Sequence, residues 1–546
     1  MEQIQTIDGL LFAKMLRSGA ARLREQVQTI NELNVFPIPD GDTGSNMLLT
    51  AVGGVERAGS GEGSVSEVAR RISDGMLLSA RGNSGVILSQ FFEGIADGLE
   101  GAETADASAL VQAMQCGTAH AYQAVMEPTE GTMLTVMRCA TEAAARNAGP
   151  TPEAMLHDFL GEARRTLEHT PELLPVLKKA GVVDSGGAGL ICIVEGMQKV
   201  LCGTETEDAL FAPKPSAEEA LDINLFTEDS VLEYGYCTEL LLRLQRCKTD
   251  LDAFEVAQLT DELKDIGNSV VVFRTGSIVK LHIHTMTPDR VLALGRQYGE
   301  FLKVKIENMS LQHNNTLQSA EKPAAQEVER KEYGIVAVAS GEGIKNLFLE
   351  SGADVIVDGG QSQNPSAEDF LEAFRRVNAD TVFVLPNNGN IVLAAKQAAG
   401  MYQNADVRVI DSHTVGDGYA ALSMFSADLG NAEQIEAELT SAMRGVVTAE
   451  ISQAVRDTSE VRAGQYIGFV GKDILAVGDT RLQAACNMLD RLDASHYDIC
   501  LLLRGSAADA AEATELERYI SAQAPDAEVY TVDGMQEIYD YILILE

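Results

Sequence analysis

Basic residues are scarce in this chain. Its 546 residues include 42 Lys and Arg against 81 Asp and Glu, a formal charge of −39. So acidic a surface repels phosphate backbones and anionic lipid headgroups, which argues against nucleic-acid or membrane-surface binding. Any phosphate the protein handles must then be neutralised locally, by metal ions or backbone N–H groups. No CxxC pair occurs among the eight cysteines, and their scatter points to reduced thiols and a cytoplasmic location. No uncharged apolar stretch reaches the ~20 residues that a membrane-spanning helix requires. The first residues, Met1 to Asp8, lack a basic segment ahead of an apolar run, so neither a signal peptide nor membrane insertion is expected. A Walker A loop is missing too: Gly471-Lys472 is followed by Asp473 and lacks the leading glycine.

What is present is the balance of an ordinary folded protein, 45% hydrophobic and 23% charged, in a chain long enough for three or four domains. Residues 1–205 read as helices. Leu16, Ala20, Leu23, Val27 and Ile30 fall at alternating spacings of four and three, the apolar stripe of an amphipathic helix, and the next step lands on Asn34. Four Gly/Ser/Thr-rich turns each open into an apolar helix: Pro39 to Asn46, Arg81 to Gly85, Glu130 to Met133 and Asp184 to Gly189.

A Pro-containing acidic stretch at 206–220 separates this block from a middle domain over 221–310. There the pattern predicts a strand over 231–246, a helix over 251–266, a hairpin of 269–274 and 278–285, a helix over 290–298 and a strand over 302–307. That order is the α+β ferredoxin-like arrangement. Residues 311–332 carry little apolar pattern and read as a linker, a flexible tether leaving the last domain free to position a partner. From 333 to 546 short β-rich runs alternate with helical ones, which predicts an α/β domain of parallel sheets covered by helices. Gly359-Gly360-Gln361 and Pro386 to Asn390 fall at strand ends, where such folds bind ligands or partners.

The sharpest chemical signal is Asn34 to Asn46. Asp40 and Asp42 place two carboxylates just ahead of a helix beginning near Ser45. Paired hard oxygens suit Mg²⁺, and a helix start adds N–H groups and the positive end of a dipole, so the pair reads as a phosphate site. The same string is also that of an ordinary surface turn. It is not an EF-hand, because Gly44, Ser45 and Ala51 stand where that loop needs other residues. A second cluster is Cys237, His282 and His284. The two histidines share a strand face, and the trio suits Zn²⁺. Two histidines on a polar face beside a buried cysteine, or a substrate-contacting histidine, are the competing readings.

Three strings carry a family resemblance: Asn31 to Met47, Ala80 to Gln90 and Gly181 to Gly189. They resemble the catalytic component of the bacterial fatty acid kinases, FakA, whose first domain is similar to the nucleotide-binding L subunit of dihydroxyacetone kinase. The likeness continues through Glu233 to Glu239, Leu281 to Thr285, Asp358 to Ser366 and Leu385 to Ile391, so it covers most of the chain in order. It implies an N-terminal all-α helical barrel binding Mg²⁺-ATP, a homodimer, and a DegV-like fatty-acid-binding protein that presents the acceptor. By position it implies Asp40 and Asp42 as metal ligands, with Asn34 beside them where dihydroxyacetone kinases place a third Asp. Thr43, Ser45, Asn46, Ser84, Gly85 and Thr132 become nucleotide contacts, and Arg81 a catalytic or a structural cation. The implied reaction phosphorylates a fatty acid carboxylate to an acyl phosphate. A carboxylate acceptor is already ionised at neutral pH and needs no general base, which agrees with a site of metal ligands and backbone donors. Two other readings are a dihydroxyacetone-type kinase using His282 or His284, and a nucleotide-sensing scaffold without turnover.

Overall fold

The structure is a computed structural model. It describes the chain except for residues 1–3, 35–40, 148, 204–235, 246–247, 250–253, 255, 265, 276–277, 309–329, 362, 428–429, 456, 458–460 and 526. Residues 1–210 together with 330–546 form one compact unit, and 211–329 form a second.

The first 203 residues are helical throughout the described part: α1 (Gly9–Leu33), α2 (Thr43–Ala58), α3 (Val65–Ser79), α4 (Gly82–Gly98), α5 (Ala107–Gln123), α6 (Met133–Asn147), α7 (Pro152–Leu173), α8 (Pro175–Ala180) and α9 (Ser185–Leu201). The stripe read along α1 is largely its core face, with Leu16, Ala20, Leu23 and Ile30 buried. Local chemistry sets the starts. Asp8 accepts from the Leu11 N–H at 2.8 Å, Ser64 and Glu67 form a capping box on α3, and Thr151 caps α7 ahead of Pro152.

The second unit contains β1 (Tyr236–Leu244), α10 (Val256–Lys264), β2 (Asn268–Thr275), β3 (Ile278–Thr285), α11 (Pro288–Tyr298) and β4 (Gly299–Asn308). Its four strands pair in the order β2-β3-β1-β4, with every pairing antiparallel. One face is apolar, where Leu240, Leu242, Leu281 and Ile283 pack with Leu259, Leu263 and Val291 of the helices.

The last domain divides its strands between two sheets. The first holds β5 (Lys331–Ala339), β6 (Val355–Asp358), β7 (Ala379–Leu385) and β8 (Asp406–Val409) in the order β6-β5-β7-β8, all parallel. Between them run α12 (Glu342–Glu350), α13 (Ala367–Val377) and α14 (Val392–Met401), with α15 (Val415–Met424) and α16 (Ala432–Ala442) following. The second sheet comprises β9 (Val447–Gln453), β10 (Tyr466–Val470), β11 (Asp473–Gly478), β12 (Ile499–Arg504), β13 (Glu528–Asp533) and β14 (Tyr541–Leu545), with α17 (Arg481–Leu492) and α18 (Ala510–Gln523). Its order is β11-β10-β9-β14-β12-β13, and only β12 and β13 run parallel. The expectation of parallel sheets therefore holds for the first sheet and is corrected for the second. A two-residue turn at Gly471-Lys472, with Gly471 at φ +58°, joins β10 to β11, and so short a connection only closes an antiparallel pair.

The last domain is also not held apart from the helices. Ala80 and Val86 lie in one buried cluster with Val336, Phe370, Val384 and Ala395. The Gln397 carboxamide donates to the Leu77 carbonyl at 2.6 Å, and the Ala367 N–H to the Ala80 carbonyl at 3.3 Å. The linker's polarity forecast freedom; the apolar residues at the end of α3 and the start of α4 produce packing instead.

Candidate functional site at the converging helix starts

The four turns singled out in the sequence converge at one end of the helical domain. The Ser185 hydroxyl at the start of α9 donates to the Thr43 hydroxyl at the start of α2, at 3.2 Å. Gly186 lies against Met133, the first residue of α6. Gly82, opening α4 at φ +56°, lies so close to Asn46 that a β-carbon would come within 2.6 Å of its Nδ2. Only glycine accommodates both that backbone angle and that contact.

Each start is satisfied differently. Asn31, on the last turn of α1, takes α2 in hand: its Oδ1 accepts from the N–H groups of Gly44 (2.8 Å) and Ser45 (3.2 Å), and its Nδ2 donates to the Ser45 hydroxyl. Asn34, which the resemblance sets beside Asp40 and Asp42, ends α1, its N–H donating to the Asn31 carbonyl. At α9 the Asp184 side chain accepts from the Gly187 N–H at 2.6 Å. Burial pushes its carboxyl up to about 6, against the pull of the Gly187 and Met133 backbone N–H groups. Thr132, before α6, donates its hydroxyl to the Thr129 carbonyl at 2.7 Å. At α4 no side chain caps the start, and Ser84 and Gly85 lie in its first turn.

Asp42 occupies the cap position of α2 without capping it. Burial pushes its carboxyl up to about 6, while hydrogen bonds from Asn46 and Asn364 work the other way. Asn364 belongs to the last domain, and its Nδ2 donates to Asp42 Oδ2. The Arg81 guanidinium donates to the Asn364 carbonyl at 3.0 Å and stands 3.7 Å from the Asp369 carboxylate. Asn83 reaches Asn390 at 3.4 Å. Two carboxamide oxygens here, Asn364 Oδ1 and Asn83 Oδ1, are buried with no hydrogen-bond partner. The unpaired Asn364 oxygen, on the carboxamide that meets the buried Asp42 carboxylate, is an acceptor suited to a hard cation or its hydrating water. Asp40 lies outside the described residues, and among the described residues no three acidic, His or Cys side chains form a metal cluster.

Cys237 stands opposite His284, and Glu239 opposite His282, in the β1–β3 register. The side chains of Cys237, His282 and His284 fall outside the described residues. A separate cavity of about 750 Å³ opens at the carboxyl ends of β5, β6 and β7. Asn388 and Asn390, at the edge facing α4, line it with Val176 of α8 and with Glu450. Burial, aided by the Asp417 charge, pushes the Glu450 carboxyl up to about 8.

Sequence reasoning thus found the four turns but missed Asn31, Asp184 and Asn364 as side chains of the site. All three stand inside strings that carried the resemblance. Nothing local to Asn364 announces that it meets a residue 322 positions earlier.

Family models agree with this layout. Residues 37–199 match the DAK2 domain, 233–316 the FakA-like middle domain, and 334–546 the FakA-like C-terminal domain. Protein YloV of Bacillus subtilis is 39% identical over the full length of both chains. The chain belongs to the FakA-like fatty acid kinase family. An uncharacterized protein of Staphylococcus aureus is 36% identical, again over both full lengths. Among solved structures, a fatty-acid-binding DegV family protein from Thermus thermophilus matches 39% of this FakA-like chain and 99% of its own, at 15% identity and a TM-score of 0.30. The Streptococcus pneumoniae fatty acid kinase B3 protein loaded with linoleic acid matches 39% and 98%, at 13% identity and a TM-score of 0.28. This chain is therefore a multidomain member of a kinase family, with a DAK2-like helical domain and C-terminal α/β sheets. No described helix is long and apolar enough to cross a membrane.

Proposed function

We propose that this chain uses Mg²⁺-ATP to phosphorylate the carboxylate of a fatty acid presented by a DegV-like carrier, giving an acyl phosphate. The observation that carries the reading is the convergence of four helix starts around the buried Asp42 in a chain of the FakA-like family. Asp40 and Asp42 would hold Mg²⁺, which when bound neutralises charge on the phosphates. The uncapped start of α4 offers backbone donors to anionic phosphate, and the converging starts add their positive dipole ends. Thr43, Ser45, Asn46, Ser84, Gly85 and Thr132 are the nucleotide-side residues of this proposal, with Asn34 near the metal. Arg81 stands beside Asp42's partner Asn364, and in this reading it opposes charge on the moving phosphoryl group. The acceptor carboxylate, with a pKa near ~4.3, arrives ionised, so positioning and charge neutralisation suffice.

The same proposal takes 1–205 as the kinase domain with the barrel arrangement of its relatives, 221–310 as a ferredoxin-like domain and 333–546 as the partner-docking domain, in a cytoplasmic homodimer. The strand order β2-β3-β1-β4 supports the middle assignment. Zn²⁺ held by Cys237, His282 and His284 rests on their register; finding no zinc in the purified protein by elemental analysis would remove it. The reaction is tested by incubating the full chain with ATP, Mg²⁺ and fatty-acid-loaded DegV-like protein, then trapping acyl phosphate with hydroxylamine. Hydroxamate that requires all components supports the reading, and its absence at saturating ATP and carrier rejects it.

A further inference from the structure

Asp42 and Arg81, the carboxylate and the cation on which the proposed reaction depends, are both engaged by the last domain. Asn364 offers Asp42 an N–H donor, on the carboxylate that the proposed reaction needs for a cation. To Arg81 the last domain offers the Asn364 carbonyl and the Asp369 carboxylate, the kind of acceptor a phosphate would supply. Each residue thus meets a stand-in of the charge sign its ligand would bring. Backbone pairing fastens the arrangement: Arg81 and Ser366 form an antiparallel bridge, and the Ala367 N–H donates to the Ala80 carbonyl. Around this centre lie Asn83 with Asn390, Ser89 with Gln397, and Gln397 with the Leu77 carbonyl. Arg81 itself occupies the cap position of α4, whose start no side chain caps.

We propose that the last domain, with the partner docked on it, is a removable cover on the kinase site, and that the surface around Asp42, Arg81 and Asn83 alternates between this cover and the acceptor that the docked partner bears. The idea rests on the proposed kinase reading and adds to it the location of the partner's contact and a self-occluded resting state. The contacts suit reversal. Most are single hydrogen bonds at the edge of a modest apolar seam, each individually weak. A ligand that binds only the uncovered form shifts the balance by its own affinity, so Mg²⁺-ATP favours opening and the cover weakens apparent Mg²⁺-ATP affinity. Linkage also makes the effect reciprocal: whatever holds the cover down must weaken nucleotide binding.

The full-length protein tests this through a lock and a release. The lock is the Asn83→Cys, Asn390→Cys pair joined by a short bismaleimide, with each single cysteine variant treated identically as control. The release is Gln397→Ala, which removes the contacts to Leu77 and Ser89 away from Asp42. Two quantities are read on each form: binding of a fluorescent ATP analogue across a Mg²⁺ titration, and hydroxamate-trapped acyl phosphate with loaded carrier. The lock should raise the half-saturating Mg²⁺ at least about fivefold and reduce acyl phosphate by about tenfold or more. Gln397→Ala should lower the half-saturating Mg²⁺ by about threefold. A locked protein that transfers phosphate as fast as its controls would overturn the proposal, because the covered form would then be the working one. Nucleotide binding indifferent to both changes would overturn it equally. If no form makes acyl phosphate, the kinase reading fails, and the binding titration alone still decides whether the cover exists.

Discussion

Two loop clusters face each other across the contact between the helical and last domains, and they are built from nearly the same residue types. At the helix starts, Asn, Asp, Ser and Gly surround backbone N–H groups and the carboxylate of Asp42. At the strand ends, Asn388, Asn390, Ser340 and glycines 359, 360 and 389 surround a cavity with Glu450 in its wall. The difference lies in what the secondary structure leaves over. Four helix starts brought together concentrate positive dipole ends, whereas parallel strand ends leave a crevice between loops with no comparable field. Similar loops thus give the proposed phosphate site, with its buried Asp42, in one place and a cavity carrying a carboxyl that resists ionisation in the other.

The comparison breaks most visibly if the helix-start carboxylate is dispensable. Asp42→Asn keeps the shape and its neighbours while removing one charge, so transfer should fall by ~10²-fold or more with the fold intact. Single-turnover acyl-phosphate formation at saturating Mg²⁺ measures it, and near-normal turnover would reduce Asp42 to a turn residue.

Glu450 sharpens the other side. Its carboxyl, pushed up to about 8, keeps a proton that the unfolded chain, at an ordinary ~4.3, has already released. The folded state therefore binds more protons between those values, and stability falls as pH rises from about 4.3 through 8. Glu450→Gln should flatten that slope and stabilise the protein at pH 8 by on the order of 3 kcal/mol, as read from denaturant unfolding at pH 5 and pH 8. An unchanged slope would mean that this carboxyl ionises freely.

A smaller effect is expected at Asp184, which caps α9 and also takes the Met133 N–H. Asp184→Ala should cost about 2 kcal/mol by freeing buried donors, seen as a lower melting temperature by calorimetry. A change within error would leave the convergence of α6 and α9 resting on packing alone.

The α1 stripe and the glycine-rich turns were legible in the sequence because local rules govern both: the helical repeat buries Leu16 and Leu23, and turn residues mark helix starts. The β-rich runs of the first parallel sheet were legible for the same reason. The mostly antiparallel second sheet was not, since strand direction depends on connections such as the Gly471 turn and on which strand becomes the neighbour.

By itself, then, the sequence determined the helical block, the alternating elements beyond it, the acidic charge that calls for local neutralisation of phosphate, and the strings that resemble the family. Only the tertiary structure decided that the four turns meet, that Asn31 holds the start of α2, and that Asn364 reaches Asp42 from the last domain. The physical reason is range. Propensity, capping and periodicity act over a few residues, whereas these contacts span 13 to 322 positions and are set by how whole helices and sheets bury their apolar faces.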